Sequence, residues 1–283
     1  MPRYLDPKND LVFKRVFGEH SDLLISFLNA LLPLADGQLI EHVEYLSSEQ
    51  VPDNPMKRNS IVDVKCIDNH GRQFIVEMQM IWTDSFKNRM LFNSAKAYVR
   101  QLDKGVSFGA LQPVYGLGIL NDTFDHDTEN FYHYFQMLNG ENANEKLTGI
   151  DVILIELPKF KPEKWSDRKM AVLWLKFLKE EIADELFANT EINKALTICE
   201  QGAFSDDELE MYDKYWDIIR VENTLIDDAL RKGKKEGIEE GIEKEKKEVV
   251  IKSNKAGLSI EQIQLITGLD QVQIIDIIKH ADD

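Results

Sequence analysis

Asp63, Lys65, Glu77 and Gln79 are polar residues set into two alternating runs, IVDVKCI at 61–67 and QFIVEMQMI at 73–81. The even positions are apolar in both: Val62, Val64 and Cys66 in the first, Phe74, Val76, Met78 and Met80 in the second. A period of two is the mark of a strand with one covered face. Asn69-His70-Gly71 between the runs is a three-residue turn ending in glycine, so they form a β-hairpin. The turn sets Asp68 opposite Arg72, and counting back then pairs Lys65 with Ile75, Asp63 with Glu77 and Ile61 with Gln79. Opposed residues have Cβ atoms about 4.5–5.5 Å apart, and like charges there repel. Either Lys65 on the same face compensates Asp63 and Glu77, or a divalent cation does; magnesium takes hard oxygen ligands at about 2.0–2.1 Å. The alternative without chemistry is a solvated hairpin surface on which two acids are neighbours. A slip of one residue in register would separate them.

Several elements must hold this hairpin. Asp6-Pro7 reads as a helix start, with a capping side chain and proline in the first turn. Apolar residues at helical spacing then run from Leu11 to Leu32; Gly18 divides them into two helices and Pro33 ends the second. A short strand near 39–46 and a polar loop through Pro52 and Pro55 lead to the hairpin. Residues 84–104 read as a helix ended by Gly105. VYGLGIL at 114–120 is apolar throughout, as in a strand covered on both faces. FYHYFQML at 131–138 and DVILIEL at 151–157 read as further strands. From about Lys164 the pattern turns helical to about Leu230. RKGKKEGIEEGIEKEKK at 231–247 reads as a solvated charged linker or frayed helix. Two short helices close the chain: Ser259 with Gln262 and Asp270 with Gln273 are capping boxes, and Gly268 ends the first helix. The expected divisions are a core at 1–160, a helical extension at 161–230, the charged stretch at 231–250 and a helical tail at 251–283.

Composition removes other classes. No stretch approaches the roughly 20 apolar residues of a bilayer crossing, and MPRYLDPKND lacks the apolar segment of a secretory signal, so the cytoplasm is the expected address. Cys66 and Cys199 stand apart and the six histidines show no metal-ligand spacing. His70 reads as a solvated turn residue. The absence of a P-loop or GxGxxG gives nucleotide-coupled chemistry no support. A net charge of −16 is awkward for a nucleic-acid protein, but it is unevenly spread. Residues 180–213 hold many acids and a single base, Lys194, whereas 87–104 hold Lys87, Arg89, Lys96, Arg100 and Lys104 against Asp103 alone. Arg89, Lys96 and Arg100 read either as a phosphate groove or as a solvated helix face. The second tail helix presents acids and amides, which favours protein contact, such as a homo-oligomer through the C-terminal helices, over DNA reading.

The order Asp63, hairpin, Glu77-Met78-Gln79 resembles the PD-(D/E)XK nuclease core in the variant where Gln replaces the usual Lys. LDPKNDLVFKRVFG, LLISFLNALL, the DVKC strand, IVEMQ, RMLFNSAKAYVRQLDKG and VYGLGIL, in that order, are similar to the Rpn group of recombination-promoting nucleases, also described as PD-(D/E)XK family transposases. The resemblance implies an α/β, restriction-endonuclease-like core with a mixed sheet, followed by a helical C-terminal region, and hydrolysis of DNA phosphodiesters with Mg²⁺ or Mn²⁺. By position it makes Asp63 and Glu77 metal ligands, Gln79 a residue that helps place the attacking water, and Asp10 an acid from the first helix. Lysine at position 79 would add a charge that Gln79 lacks; Lys65, or Lys14 one helical turn after Asp10, is expected to supply it. A fold of this kind with weak or lost activity, acting in assembly, is the alternative.

Overall fold

The computed structural model describes residues 3–35, 37–50, 60–102, 105, 107–165, 167–181 and 183–280. The loop expected through Pro52 and Pro55 lies outside the described residues. Helix α1 (Asp10–Gly18) buries Val12, Phe13, Val16 and Phe17, and α2 (Ser21–Leu31) buries Leu23, Leu24, Phe27, Leu28 and Leu31. The break at Gly18 is as expected, but the start is not at Asp6. Its carboxylate accepts from the Lys8 amide at 2.8 Å and pairs with the Lys8 ammonium, so it closes a local turn, and Asn9 caps the helix through the Leu11 amide at 3.0 Å.

Strand β1 (Val43–Tyr45) is followed by β2 (Glu49–Gln50) and β3 (Ser60–Ile61), which among the described residues pair only with each other. The hairpin is β4 (Val64–Asp68) and β5 (Gln73–Gln79). Its register is the one counted from the turn: Val64 pairs with Val76, Lys65 with Ile75, Cys66 with Phe74 and Ile67 with Gln73. The ladder stops there, and the backbone partner of Ile61 is Glu49, not Gln79. At the turn Gly71 has φ +81°, and Asp68 accepts from the amides of His70 and Arg72 and from the Arg72 guanidinium.

Helix α3 (Ser85–Val99) ends earlier than Gly105, and β6 (Val114–Leu120), β7 (Tyr132–Leu138) and β8 (Lys146–Glu156) complete a mixed six-stranded sheet in the order β1-β4-β5-β6-β8-β7. Strands β5, β6 and β8 are parallel. Beyond them come α4 (Lys169–Leu178), α5 (Asp184–Ala188), α6 (Thr190–Ile198) and α7 (Asp206–Lys255), then α8 (Ile260–Thr267) and α9 (Gln271–Lys279).

Both sheet faces are covered. The even residues Val64, Cys66, Phe74 and Val76 join the main core with α1, α2, α4 and α6. The opposite face lies under α3, which seats closely because β6 is glycine where they meet. A Cβ at Gly116 would come 2.7 Å from Ser94 Oγ, and one at Gly118 would come 3.0 Å from Phe86 Cε1, both on α3. The odd face of the hairpin is therefore not solvated: Ile75 packs with Ala97 and Val114 beneath α3.

Residues 1–219 and 220–283 form two compact units. In the second, Val250, Ile263 and Ile274 make a small core, and both tail helices carry the expected capping boxes. The stretch 231–247 belongs to α7 and is helical throughout. Among the described residues no helix is long and apolar enough to cross a membrane.

Candidate active site at the hairpin

Asp63 stands one residue before β4. Instead of a ladder bond, its Oδ2 accepts from the Met78 amide at 2.7 Å, which fixes the carboxylate beside the strand that carries Glu77. The Glu77 side chain is 6% exposed. Its Oε1 accepts from Asn93 Nδ2 at 2.7 Å, and its Oε2 lies 3.4 Å from Arg89 Nε. Gln79 is held at both ends of its amide: Oε1 accepts from Arg89 at 2.5 Å and Nε2 donates to the Ile81 carbonyl at 2.8 Å. Arg89 and Asn93, one turn apart on α3, thus reach down onto β5.

From the other side of the sheet, α1 brings Asp10 and Lys14. They form an i,i+4 pair at 2.7 Å, and Lys14 Nζ also lies 3.9 Å from Asp63 Oδ1. Burial pushes the Asp63 carboxyl up to about 7, against the Met78 hydrogen bond; Asp10 and Glu77 add repulsion and Lys14 relieves part of it. Burial also raises Glu77, with Asn93 and Arg89 opposing. Burial holds both neighbouring carboxylates back from ionising, and a divalent cation bound to them would favour the charged forms.

The donor set fits a hard cation. Among the described residues no cluster of three His, Cys, Asp or Glu side chains is arranged for a metal. Magnesium, however, is commonly held by one or two carboxylates together with substrate phosphates. Asp63 and Glu77 would supply those carboxylates.

Lys65 is not paired with either acid. It is buried to 9% exposure, and its ammonium is depressed first by burial, then by the charges of Arg100 and Lys96. The three bases expected on α3 therefore divide: Arg89 engages Glu77 and Gln79, while Lys96 and Arg100 lie near Lys65, toward the hairpin turn. His70 is exposed in its turn, as expected.

Asn93 was not among the expected residues, although its i,i+4 spacing from Arg89 was available as a signal. Glu156, at the carboxyl end of β8, carried no such signal. Its side chain is fully buried and accepts from the amides of Phe124 and Asp125 at 2.6 and 3.1 Å, with His133 Nε2 at 2.8 Å and Lys159 Nζ at 2.9 Å. These partners hold its carboxyl below the usual range despite the opposing effect of burial.

No curated protein and no solved structure matches the chain. A family model, PD-(D/E)XK nuclease family transposase, matches residues 7–229, which takes in both sides of the hairpin and all of the sheet. With an α/β core around a mixed sheet and a long helical C-terminal region, the chain belongs to the PD-(D/E)XK nuclease family transposases.

Proposed function

We propose that this chain is a metal-dependent DNA endonuclease that hydrolyses phosphodiester bonds, in the biology of recombination or mobile elements and with a cytoplasmic address. The observation that carries this reading is the meeting of Asp63 and Glu77 beside Gln79, with both carboxylates raised by burial. In this reading Asp63 and Glu77 hold a Mg²⁺ or Mn²⁺ ion. Such an ion lowers the pKa of bound water and offsets charge on the scissile phosphate.

The remaining work falls to side chains. Gln79 has its amide fixed by Arg89 and Ile81, so the second lone pair on Oε1 is aimed and can orient the attacking water. Arg89 supplies, through a guanidinium that suits phosphate geometry, the positive charge that a neutral residue at 79 does not. Lys14 holds Asp10 and moderates Asp63. Lys65, Lys96 and Arg100 form a patch for a neighbouring phosphate. It is local, which suits an otherwise acidic chain.

A second reading, a nuclease fold with little activity that assembles with copies of itself, draws on α7. Its Leu225, Leu230, Ile238 and Ile242 are 63, 67, 53 and 49% exposed. Relaxation of supercoiled plasmid in Mg²⁺ or Mn²⁺, and its arrest by EDTA, separates the two: the nuclease reading requires it and the assembly reading does not.

A further inference from the structure

A row of aromatic rings lies at the same end of the sheet as the proposed catalytic residues. Gln79, Leu120 and Glu156 are in register across β5, β6 and β8, so the Glu156 position is two strand spacings, about 10 Å, from Gln79. In parallel sheets ligands gather beyond these carboxyl ends. The buried Glu156 carboxylate ties the amides of Phe124 and Asp125 to His133 on β7, which fixes the segment after β6 in place.

The consequence is a contiguous row. Trp82 and Phe124 stack at 4.6 Å and 27°, Phe124 and His133 are 4.7 Å apart, and His133 and Phe135 lie nearly parallel at 6.4 Å and 15°. Lys87 Nζ sits 4.0 Å over Phe124, 5.5 Å from Trp82 and 5.8 Å from Phe135. The row joins the catalytic cluster through Phe86, which lies 6.0 Å from Trp82 and has the Arg89 guanidinium 4.9 Å above it.

Packing explains only part of this. Trp82 and Phe124 do rest on the core beneath α3. Phe135, at the open end of the row, is 44% exposed. Lys87, in a chain of net charge −16, has no carboxylate partner among the described residues and rests on ring faces instead. An open ring face beside an ammonium with free donors matches one unit of a nucleic-acid strand, a base and its phosphate. Bases inside a duplex already have both faces stacked, so the row can receive only an unpaired one.

We propose that Phe135 and Lys87, backed by the Trp82–His133 rings, form a stacking subsite for an unpaired base of the strand whose phosphodiester lies at Glu77. This rests on the nuclease reading, and the test separates their failures. Fluorescence anisotropy in EDTA, with full-length protein, compares a single-stranded DNA oligonucleotide with its duplex. Phe135→Ala is expected to weaken single-strand binding roughly 5- to 150-fold and duplex binding less than about twofold, with an unchanged Tm. Phe135→Trp is expected to retain single-strand affinity, and Lys87→Gln to weaken it with a smaller dependence on salt. Wild-type single-strand and duplex affinity in Phe135→Ala, or equal loss on both, overturns the subsite and leaves the nuclease reading standing. A wild-type protein that binds neither DNA also overturns the subsite, and the nuclease reading is then judged by plasmid nicking in Mg²⁺ alone.

Discussion

The Arg89 guanidinium lies 3.4 Å from the Glu77 carboxylate and donates to Gln79 at 2.5 Å, so one side chain from α3 bridges two residues of β5. It delivers positive charge to the point where the sequence has a neutral amide. Arg89→Ala should therefore lower DNA cleavage by about 10²–10³-fold, the usual scale for losing one group that stabilises developing charge. It should also cost some stability, because it takes one partner from the Glu77 carboxylate, which is 6% exposed. Gln79→Lys in the Arg89→Ala background should restore part of the loss. Initial rates of plasmid nicking check this, and full activity in Arg89→Ala would remove arginine from the mechanism.

Lys96 and Arg100 act on Lys65 from the carboxyl-terminal part of α3. Replacing both with Gln should weaken duplex binding about equally across sequences, and the slope of log K against log salt should become shallower by roughly two. An unchanged slope, measured by anisotropy over a salt series, would show that this end of α3 does not meet the phosphates.

In the metal-free protein the Asp63 carboxyl is raised from 3.8 to about 7. A group raised on folding contributes stability that is fully present below its unfolded pKa and is lost as pH rises through the folded value. Metal-free wild type should accordingly lose stability between about pH 4 and 7 on this account, and Asp63→Asn should not. The mutant should thus be the more stable at pH 8, by about 1–2 kcal/mol, a modest figure because the side chain keeps 21% exposure. Urea unfolding in EDTA at pH 5 and pH 8 measures it; a mutant destabilised equally at both would contradict the assignment.

Glu156 behaves oppositely. Its carboxyl is lowered, so its contribution is present above the unfolded value and is lost as pH falls through the folded one. Glu156→Leu takes the carboxylate from the Lys159 ammonium, 15% exposed, which keeps the Asp125 and Asn130 carbonyls, and leaves two backbone amides without their acceptor. It should cost about 3–5 kcal/mol at pH 7, as removal of one partner from a buried pair does. Urea unfolding at pH 7 checks this, and a loss below about 1 kcal/mol would show that the segment is held by its rings alone.

The hairpin was legible because two local signals agree: Gly71 fixes the turn and the even apolar residues fix the face. What covers the odd face was not. Lys65, Glu77 and Gln79 are residue types that read as solvated, and only Gly116 and Gly118, which let α3 approach β6, hint at a lid of helix. Boundaries failed where distant partners intervened. Gln101 gives both ends of its amide to the Gln112 backbone, at 2.8 and 2.9 Å, and draws the chain out of α3 before Gly105. Asp6 was a plausible cap whose carboxylate is already committed to Lys8. The fold was further legible through the family resemblance, which periodicity alone does not supply.

The central claim is that Asp63 and Glu77 share a divalent cation that serves hydrolysis. Matched thermal melts with EDTA and with Mg²⁺, alongside plasmid nicking, test it on wild type, Asp63→Asn and Glu77→Gln. The wild type should cleave and should gain stability from the metal according to how far the ion exceeds its dissociation constant, whereas both mutants should lose cleavage and most of the gain. Equal metal response in all three proteins, with cleavage intact in the mutants, would contradict the account.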